Sequence, residues 1–340
     1  MKGSIYGQPV ASEGNRLNTP GTLIVGGSGF IGRALQAAVL NRGTADMFAF
    51  TYNEHPERIK DCFPKVKIDL STPEGAAPLK GYKNAIYVVG NSNAALSRKE
   101  PWRDIELNVK LLLNFVRYFR GNLVLLSSQS VYYGLEGKIR EDVNHVPVVP
   151  HGISKRIAEE YAEYLAHLGF LEKLWVFRLR YAFGLGEQQR RLIPMCNWAA
   201  ATGGKVKVHG KGASLMNPLP AEWVGEVLIR AVDTLDFERE RSVNFTNLNH
   251  PDKMTVAKMV KILAGERRFD YELEKGEEEW PVHFWGDTEF LAKQLKTWNV
   301  EFPDLDESLR KYFAELKHEN LGVVKDGLDR KRARHLDVRP

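Results

Sequence analysis

In the stretch PHGISK, residues 150–155, a histidine and a lysine stand four residues apart. On a helix that spacing puts His151 and Lys155 on one face, one turn from each other. A ring nitrogen able to take up or release a proton would then sit beside a cation that tunes it. Two readings are open: His151 is the acid/base of an enzyme, or it marks a site that has lost its chemistry.

A second pattern with chemical content is GGSGFIG, in which Gly26, Gly29 and Gly32 form a G-x-x-G-x-x-G turn around Phe30 and Ile31. Glycines suit such a turn because the backbone must bend tightly, approach a pyrophosphate and let the next helix pack on the preceding strand. The helix N-terminus adds partial positive charge. A bare glycine triplet would carry little, but TLIV before it reads as a buried strand, and the apolar positions Ile31, Leu35, Ala38 and Val39 after it recur at helical spacing. That is the context of a bound dinucleotide.

The elements that must position these residues alternate along the chain. Strands are expected at 22–25, 47–51, 66–68, 85–89, 122–127 and 174–179, and helices at about 102–119 and 152–168. Such alternation predicts an α/β protein built on a doubly wound parallel Rossmann sheet. Past Gly184 the pattern breaks into Gly- and Pro-punctuated pieces, with helices expected at 223–234, 256–264 and 308–316. The organisation expected is a flexible N-terminus over 1–20 and a dinucleotide-binding domain over 21–184. A smaller mixed substrate domain, interleaved with the first, would span 185–320, followed by a basic tail over 321–340.

A chain of 340 residues with 43% apolar content is long enough for this plan. Two cysteines, Cys62 and Cys196, match neither a disulfide framework nor a zinc pattern, so no metal is expected. The absence of a long apolar run argues against a membrane span, and that of a secretory signal for a cytoplasmic protein. The net charge of +5 gathers partly in DRKRARHLDVRP, whose lack of interleaved aromatics argues against nucleic-acid binding.

At the second strand's end an acid usually takes the ribose hydroxyls of NAD. Here AFTYNEHPER offers Thr51 and Asn53, neither of which repels a 2'-phosphate, and Arg58, which can reach one. NAD and NADP both stay open, with a lean to NADP. Asp69, at a third strand end, can accept from the adenine amino group.

Together these pieces resemble the extended short-chain dehydrogenase/reductases, the NAD-dependent epimerase/dehydratase group. The motifs come in order: GGSGFIG; Asn108 in IELNVKLLLNFV; LLSSQSVYYG; the HGISK helix; FRLRYAFGLG; HGKGASLMNPLPAEWVGEV; and a closing segment to Leu316. The resemblance implies that Ser128 holds the substrate oxygen, that Lys155 binds the nicotinamide ribose, and that Asn108 holds its helix open for a proton-relay water. Ser128 as a strand cap and Asn108 as a satisfied buried amide are the alternatives.

The family's acid/base is a Tyr four residues before the Lys, and that position is His151. A phenol starts near 10 and must be pulled down, whereas imidazole starts at about 6.5 and neighbouring cations push it lower still. His151 should therefore be neutral at neutral pH, suited to accepting a proton from an alcohol. Tyr132, Tyr133 and Tyr161 are nearby in sequence but lack the four-residue relation to Lys155. Other departures touch the substrate: Gln129 and Ser130 replace a dehydratase's Asp-Glu pair, Tyr181 replaces an Asn, and Met216 and Asn217 stand where Arg and Asp are usual. The phosphate clamp would then fall to Arg190 or Arg191. With Tyr133, these are the candidate substrate contacts.

The function expected is an NAD(P)-dependent epimerase or oxidoreductase acting on a secondary alcohol or ketone, of a sugar or nucleotide sugar. The alternatives are a dinucleotide-binding regulator or scaffold without turnover, and a non-redox lyase or isomerase. The resemblance also implies a homodimer pairing through the helices at 102–119 and 152–168.

Overall fold

Strand β1, Thr22–Val25, is buried at all four positions, which only a strand covered on both faces can be. Around it the chain builds an α/β body, seen here in a computed structural model that describes residues 21–237, 243–276, 281–316 and 336–338. The expectations for 1–20 and, apart from 336–338, for the basic tail lie outside the described residues.

After β1 come α1 (Phe30–Asn41), β2 (Phe48–Tyr52), β3 (Lys65–Lys67) and β4 (Asn84–Tyr87). Next are α2 (Ala94–Lys99), α3 (Pro101–Ile105), a π-helical turn over Glu106–Lys110 and α4 (Leu111–Tyr118). Then follow β5 (Asn122–Ser128), β6 (Gly137–Ile139), α5 (Pro150–His167), β7 (Lys173–Leu179) and β8 (Tyr181–Phe183). The remainder comprises α6 (Leu192–Thr202), β9 (Lys205–Val208), β10 (Pro218–Pro220), α7 (Ala221–Phe237), β11 (Val243–Leu248) and α8 (Val256–Glu266). It closes with β12 (Asp270–Leu273), β13 (Phe284–Gly286), α9 (Glu289–Trp298), α10 (Leu305–Glu315) and β14 (Leu336–Val338).

Seven strands form one sheet in the order β11-β7-β5-β4-β1-β2-β3, and every neighbouring pair is parallel. The strand order reverses at β1 and β4, which opens a crevice at their carboxyl ends. One face of the sheet is sealed by α1 and α7 through residues such as Leu35, Val39, Val227 and Leu228, the other by α4 and α5 through Leu112, Phe115, Ala158 and Ala162. The seventh strand and α7 both come from the stretch 185–320. A parallel strand can join only by a crossover connection, so the later half threads back into the main sheet before β6 and β13 pair and β12-β9-β14 form a small sheet of their own.

Two of the departures from the sequence expectation have a visible cause. Strand β11 is hidden by its polar Asn244, Thr246 and Asn247, two of which are satisfied internally: Trp175 Nε1 donates to Thr246 Oγ1 at 2.7 Å, and Asn247 Nδ2 to the Ile139 carbonyl at 3.0 Å. The helix expected over 102–119 is interrupted by the π turn at Glu106–Lys110, centred on Asn108. Such turns in helices frequently accompany functional sites. Among the described residues no helix is long and apolar enough to cross a membrane.

Candidate functional site

The glycine turn lies at the end of β1, and its members do different work. Gly26 has φ +96°, a conformation that disfavours a side chain. A Cβ on Gly32 would stand 2.2 Å from the Gly26 carbonyl oxygen, so Gly32 is required for α1 to approach the turn. A Cβ on Gly29 would meet only that same oxygen, at 3.1 Å, with nothing else within 4 Å. Gly29 is exposed and forms the N-terminal end of α1, which carries no side-chain cap and no acidic residue in its first turn. Its open side can receive an anion. Phe30 and Ile31 start the helix and pack on the core.

At the adenosine end, Thr51 is buried and its Oγ1 accepts from the Gly26 N–H at 2.9 Å. That hydroxyl braces the glycine turn from beneath, a different place from the ribose contact expected of it. Gln36 adds a second brace, donating to the Gly27 and Arg58 carbonyls. Asn53 is exposed, and the Arg58 side chain, 47% exposed, has Glu57 3.9 Å from its Nε. Arg33 is held below the usual guanidinium range by burial and by the nearby Arg58 charge, so two guanidiniums share this end. Asp69 is exposed and turned back on its own chain, accepting from Ser71 N at 2.9 Å.

The proton-handling groups converge beside the glycine turn. Gly26 abuts Val88 and Val89, and Gly90 next to them faces both the Asn108 amide and the Lys155 ammonium: a Cβ on Gly90 would meet Asn108 Oδ1 at 2.7 Å and Lys155 Nζ at 2.9 Å. His151 and Lys155 stand on α5, as their spacing requires. His151 is buried with 11% of its side chain exposed, and burial pushes its pKa down, aided by Lys155 and opposed by Asp104. Burial pushes Lys155 down to about 8, against the raising pull of Asp104 and Glu159. Asn108 is a fully engaged amide: Oδ1 accepts from Asn91 N, and Nδ2 donates to Asp104 Oδ1 and Ser154 Oγ, each at 2.9 Å. Asp104, Asn91 and Ser154 escaped the sequence reading. The available signal was Asp104 four residues before Asn108, one turn away on the same helical face.

Ser128 ends β5. Its Oγ accepts from Ser130 N at 3.1 Å and lies 2.9 Å from Ser130 Oγ, so it does cap the following turn while its side chain stays partly open. Helix α5 presses on that turn at Gly152, where a Cβ would fall 2.2 Å from the Ser130 carbonyl oxygen. Gln129 is buried with Nε2 unpartnered. Tyr132 is buried, donates to Asn247 Oδ1 at 2.7 Å and accepts from Arg178 Nη1 at 2.8 Å. Burial pushes its pKa up to about 12, against the pull of Arg178. Tyr132 is thus removed as a substitute for the missing phenol. Tyr161 is 45% exposed, and Tyr133 packs edge-on against Phe284 with ring centroids 5.6 Å apart.

Several positions expected at the substrate are spent on the fold. Asn217, at φ +41°, accepts from Met254 N at 2.9 Å and donates to the Asp252 and His250 carbonyls, clamping that loop. Met216 is buried and bonds through its own N–H to the Met254 carbonyl. Tyr181 donates to Oε1 of the buried Glu187, the same oxygen that Arg191 Nε approaches at 3.3 Å, and the Arg191 guanidinium lies 3.9 Å above the Tyr181 ring. Arg191 is therefore committed to the protein. Arg190 is exposed, with Gln188 as its partner, and is the guanidinium better placed to be recruited.

Solved structures with this architecture include MoeE5 in complex with UDP-glucose and NAD, 21% identical over 86% of this chain and 97% of that one, with a TM-score of 0.72. A UDP-glucose 4-epimerase is 16% identical over 86% and 96% of the two chains, with a TM-score of 0.75. RMD from Pseudomonas aeruginosa complexed with NADPH is 18% identical over 86% and 95%, with a TM-score of 0.67. At such identities the likeness is one of fold. No curated protein matches the sequence. The model of the NAD dependent epimerase/dehydratase family matches residues 22–244, from the first strand of the sheet into the last, and the chain belongs to that family.

Proposed function

We propose that the protein is an NAD(P)-dependent epimerase or oxidoreductase acting on a secondary alcohol or ketone of a sugar or nucleotide sugar. The observation that carries this reading is the meeting of Asn108 and Lys155 at Gly90, beside a glycine turn whose Gly29 faces open space. The solved relatives bound to UDP-sugars and to NAD or NADPH support it. The residues fit the cofactor: Gly29, Phe30, Ile31 and Gly32 offer an uncapped helix end to the pyrophosphate, Lys155 the ribose, and Arg33 with Arg58 the adenosine end. A bound nicotinamide would supply the hydride acceptor and donor that these side chains lack. Ser128 orients the substrate oxygen, neutral His151 takes its proton, and Lys155 keeps a positive charge nearby. The reading without turnover gains support from Asn217 and Arg191 being engaged internally. Tight dinucleotide binding with no turnover on a panel of nucleotide sugars, free sugars and hydroxy acids would replace our reading with that one.

Cofactor choice follows from the same groups. With no carboxylate seated at the end of β2 and two guanidiniums near it, NADP should bind no worse than about tenfold more weakly than NAD, or roughly 1.4 kcal/mol. Calorimetric titration with both dinucleotides decides this; a much stronger preference for NAD would place Glu54 or Glu57 on the ribose.

The proposal extends to a homodimer. Helix α5 exposes Ile153, Tyr161 and Tyr164, with Leu168 just past its end, and α3 exposes Trp102 and Ile105, an apolar surface on the two helices where the family resemblance puts a second copy. Tyr164→Glu should shift the sedimenting species to the monomer. An unchanged species would mean that this face is not the contact.

A further inference from the structure

The phenol normally found at position 151 and the imidazole found here differ in what gaining a proton does to charge. A phenolate becomes neutral, so a neighbouring lysine suffices to tune it. Imidazole becomes a cation, and beside Lys155 that cation is penalised. An acid/base histidine at this position needs a counter-charge that a tyrosine does not.

Asp104 stands where such a charge would act. It is 1% exposed and accepts from three elements at once: from Asn91 Nδ2 at 2.7 Å and Asn108 Nδ2 at 2.9 Å on Oδ1, and from Ser154 Oγ at 2.6 Å on Oδ2. Burial alone would raise its pKa, but the bonds from Asn91 and Ser154 and the adjacent His151 ring hold it down to about 2, so it is ionised at neutral pH. His151 Nδ1 lies 3.8 Å from Asp104 Oδ1 and is a buried nitrogen without a hydrogen-bond partner. A buried polar atom in that position is costly, and closing the gap to hydrogen-bond length takes a shift of about 1 Å, of the kind that apo sites make on binding substrate. Among the described residues, the charged groups acting on His151 are Asp104 from α3 and Lys155 from its own helix.

We propose that Asp104 is the positioning residue of His151: its carboxylate holds the imidazole as the Nδ1–H tautomer and supports the positive charge that the ring acquires. This rests on the reading of His151 as acid/base. In the oxidising direction the substrate hydroxyl proton would pass to Nε2 and the ring would become imidazolium, a bound dinucleotide supplying the hydride acceptor that oxidation of the alcohol carbon to the ketone requires. Asp104 stays ionised throughout, and reduction runs the same transfers backwards. The buried network gives this chain a His–Asp pair in place of the family's single phenol.

Asp104→Asn isolates the charge. The new Oδ1 still accepts from Asn91 and Asn108, and the new Nδ2 can donate to Ser154 Oγ, which keeps its own donation to the His151 carbonyl at 3.1 Å. The readout is a nitrogen-15 NMR titration of the histidines, with His151→Phe identifying the resonance of position 151. The wild type should show the Nδ1–H tautomer, and Asp104→Asn, whose Oδ1 still faces Nδ1 but carries no charge, should weaken that bias and bind the ring proton about tenfold more weakly. The pH at which oxidation levels off should move down with it, with kcat falling and dinucleotide affinity unchanged. An Nε2–H tautomer in the neutral wild type, a result that needs no variant to fold, overturns the proposal. So does an unaltered titration in Asp104→Asn. Neither outcome depends on turnover, so failure here leaves the acid/base reading itself to be judged by His151→Phe.

Discussion

His151→Phe should turn substrate over roughly 10²- to 10⁴-fold more slowly than the wild type while binding the dinucleotide almost as well, because the ring volume stays and only the proton carrier goes. The wild-type rate of alcohol oxidation should rise as the imidazole loses its proton and then level. Burial first, and Lys155 second, hold the pKa below its ordinary 6.5. The sign follows: the base is the neutral ring, present above that lowered pKa and lost below it. Activity is therefore flat through neutral pH and falls in mildly alkaline solution as Lys155, pushed down to about 8, surrenders its charge. Tyr132→Phe is the contrast. It leaves the buried Arg178 Nη1 and Asn247 Oδ1 short of one partner each, which should cost about 1–3 kcal/mol of stability with little effect on chemistry. Full activity in His151→Phe on the true substrate would end the mechanism, and Tyr133 or a water held by Ser128 would become the next proton carrier to test.

The second large effect is expected at the glycine turn. Gly29→Val should abolish dinucleotide binding in calorimetry and leave the folded protein intact, since its φ is an ordinary −77° and a Cβ there meets a single backbone oxygen. The valine methyls would occupy the open side that a pyrophosphate must approach. Gly32→Ala should fail differently, through the fold, because its Cβ would stand 2.2 Å from a backbone oxygen. Thermal unfolding separates the two variants. Normal dinucleotide affinity in a folded Gly29→Val would remove the basis for a phosphate site at the start of α1.

The class of fold was legible in the residue pattern alone, because buried parallel strands such as TLIV and NLVLLS carry the unbroken apolar runs LIV and LVLL and the helices between them carry their own period. The sequence also determined the glycine turn and the pairing of His151 with Lys155, since both depend on spacings within a single element or turn. Tertiary structure decided what lies at long separation. Strand β11 joins a sheet begun more than two hundred residues earlier, and its Asn and Thr side chains find partners only in the folded body. Thr51, Asn217 and Arg191 could be read as ligand contacts while their partners were unknown. Folding gives those groups to Gly26, Met254 and Glu187. Asp104 shows the reverse case. In the sequence it is one acid in an exposed-looking helix, and only the convergence of Asn91, Asn108, Ser154 and His151 upon it makes it a buried charge. A carboxylate's role is set by the donors around it, and those donors come from three segments, the loop after β4, the π turn and α5, of which only the π turn is tied to Asp104 by a local spacing.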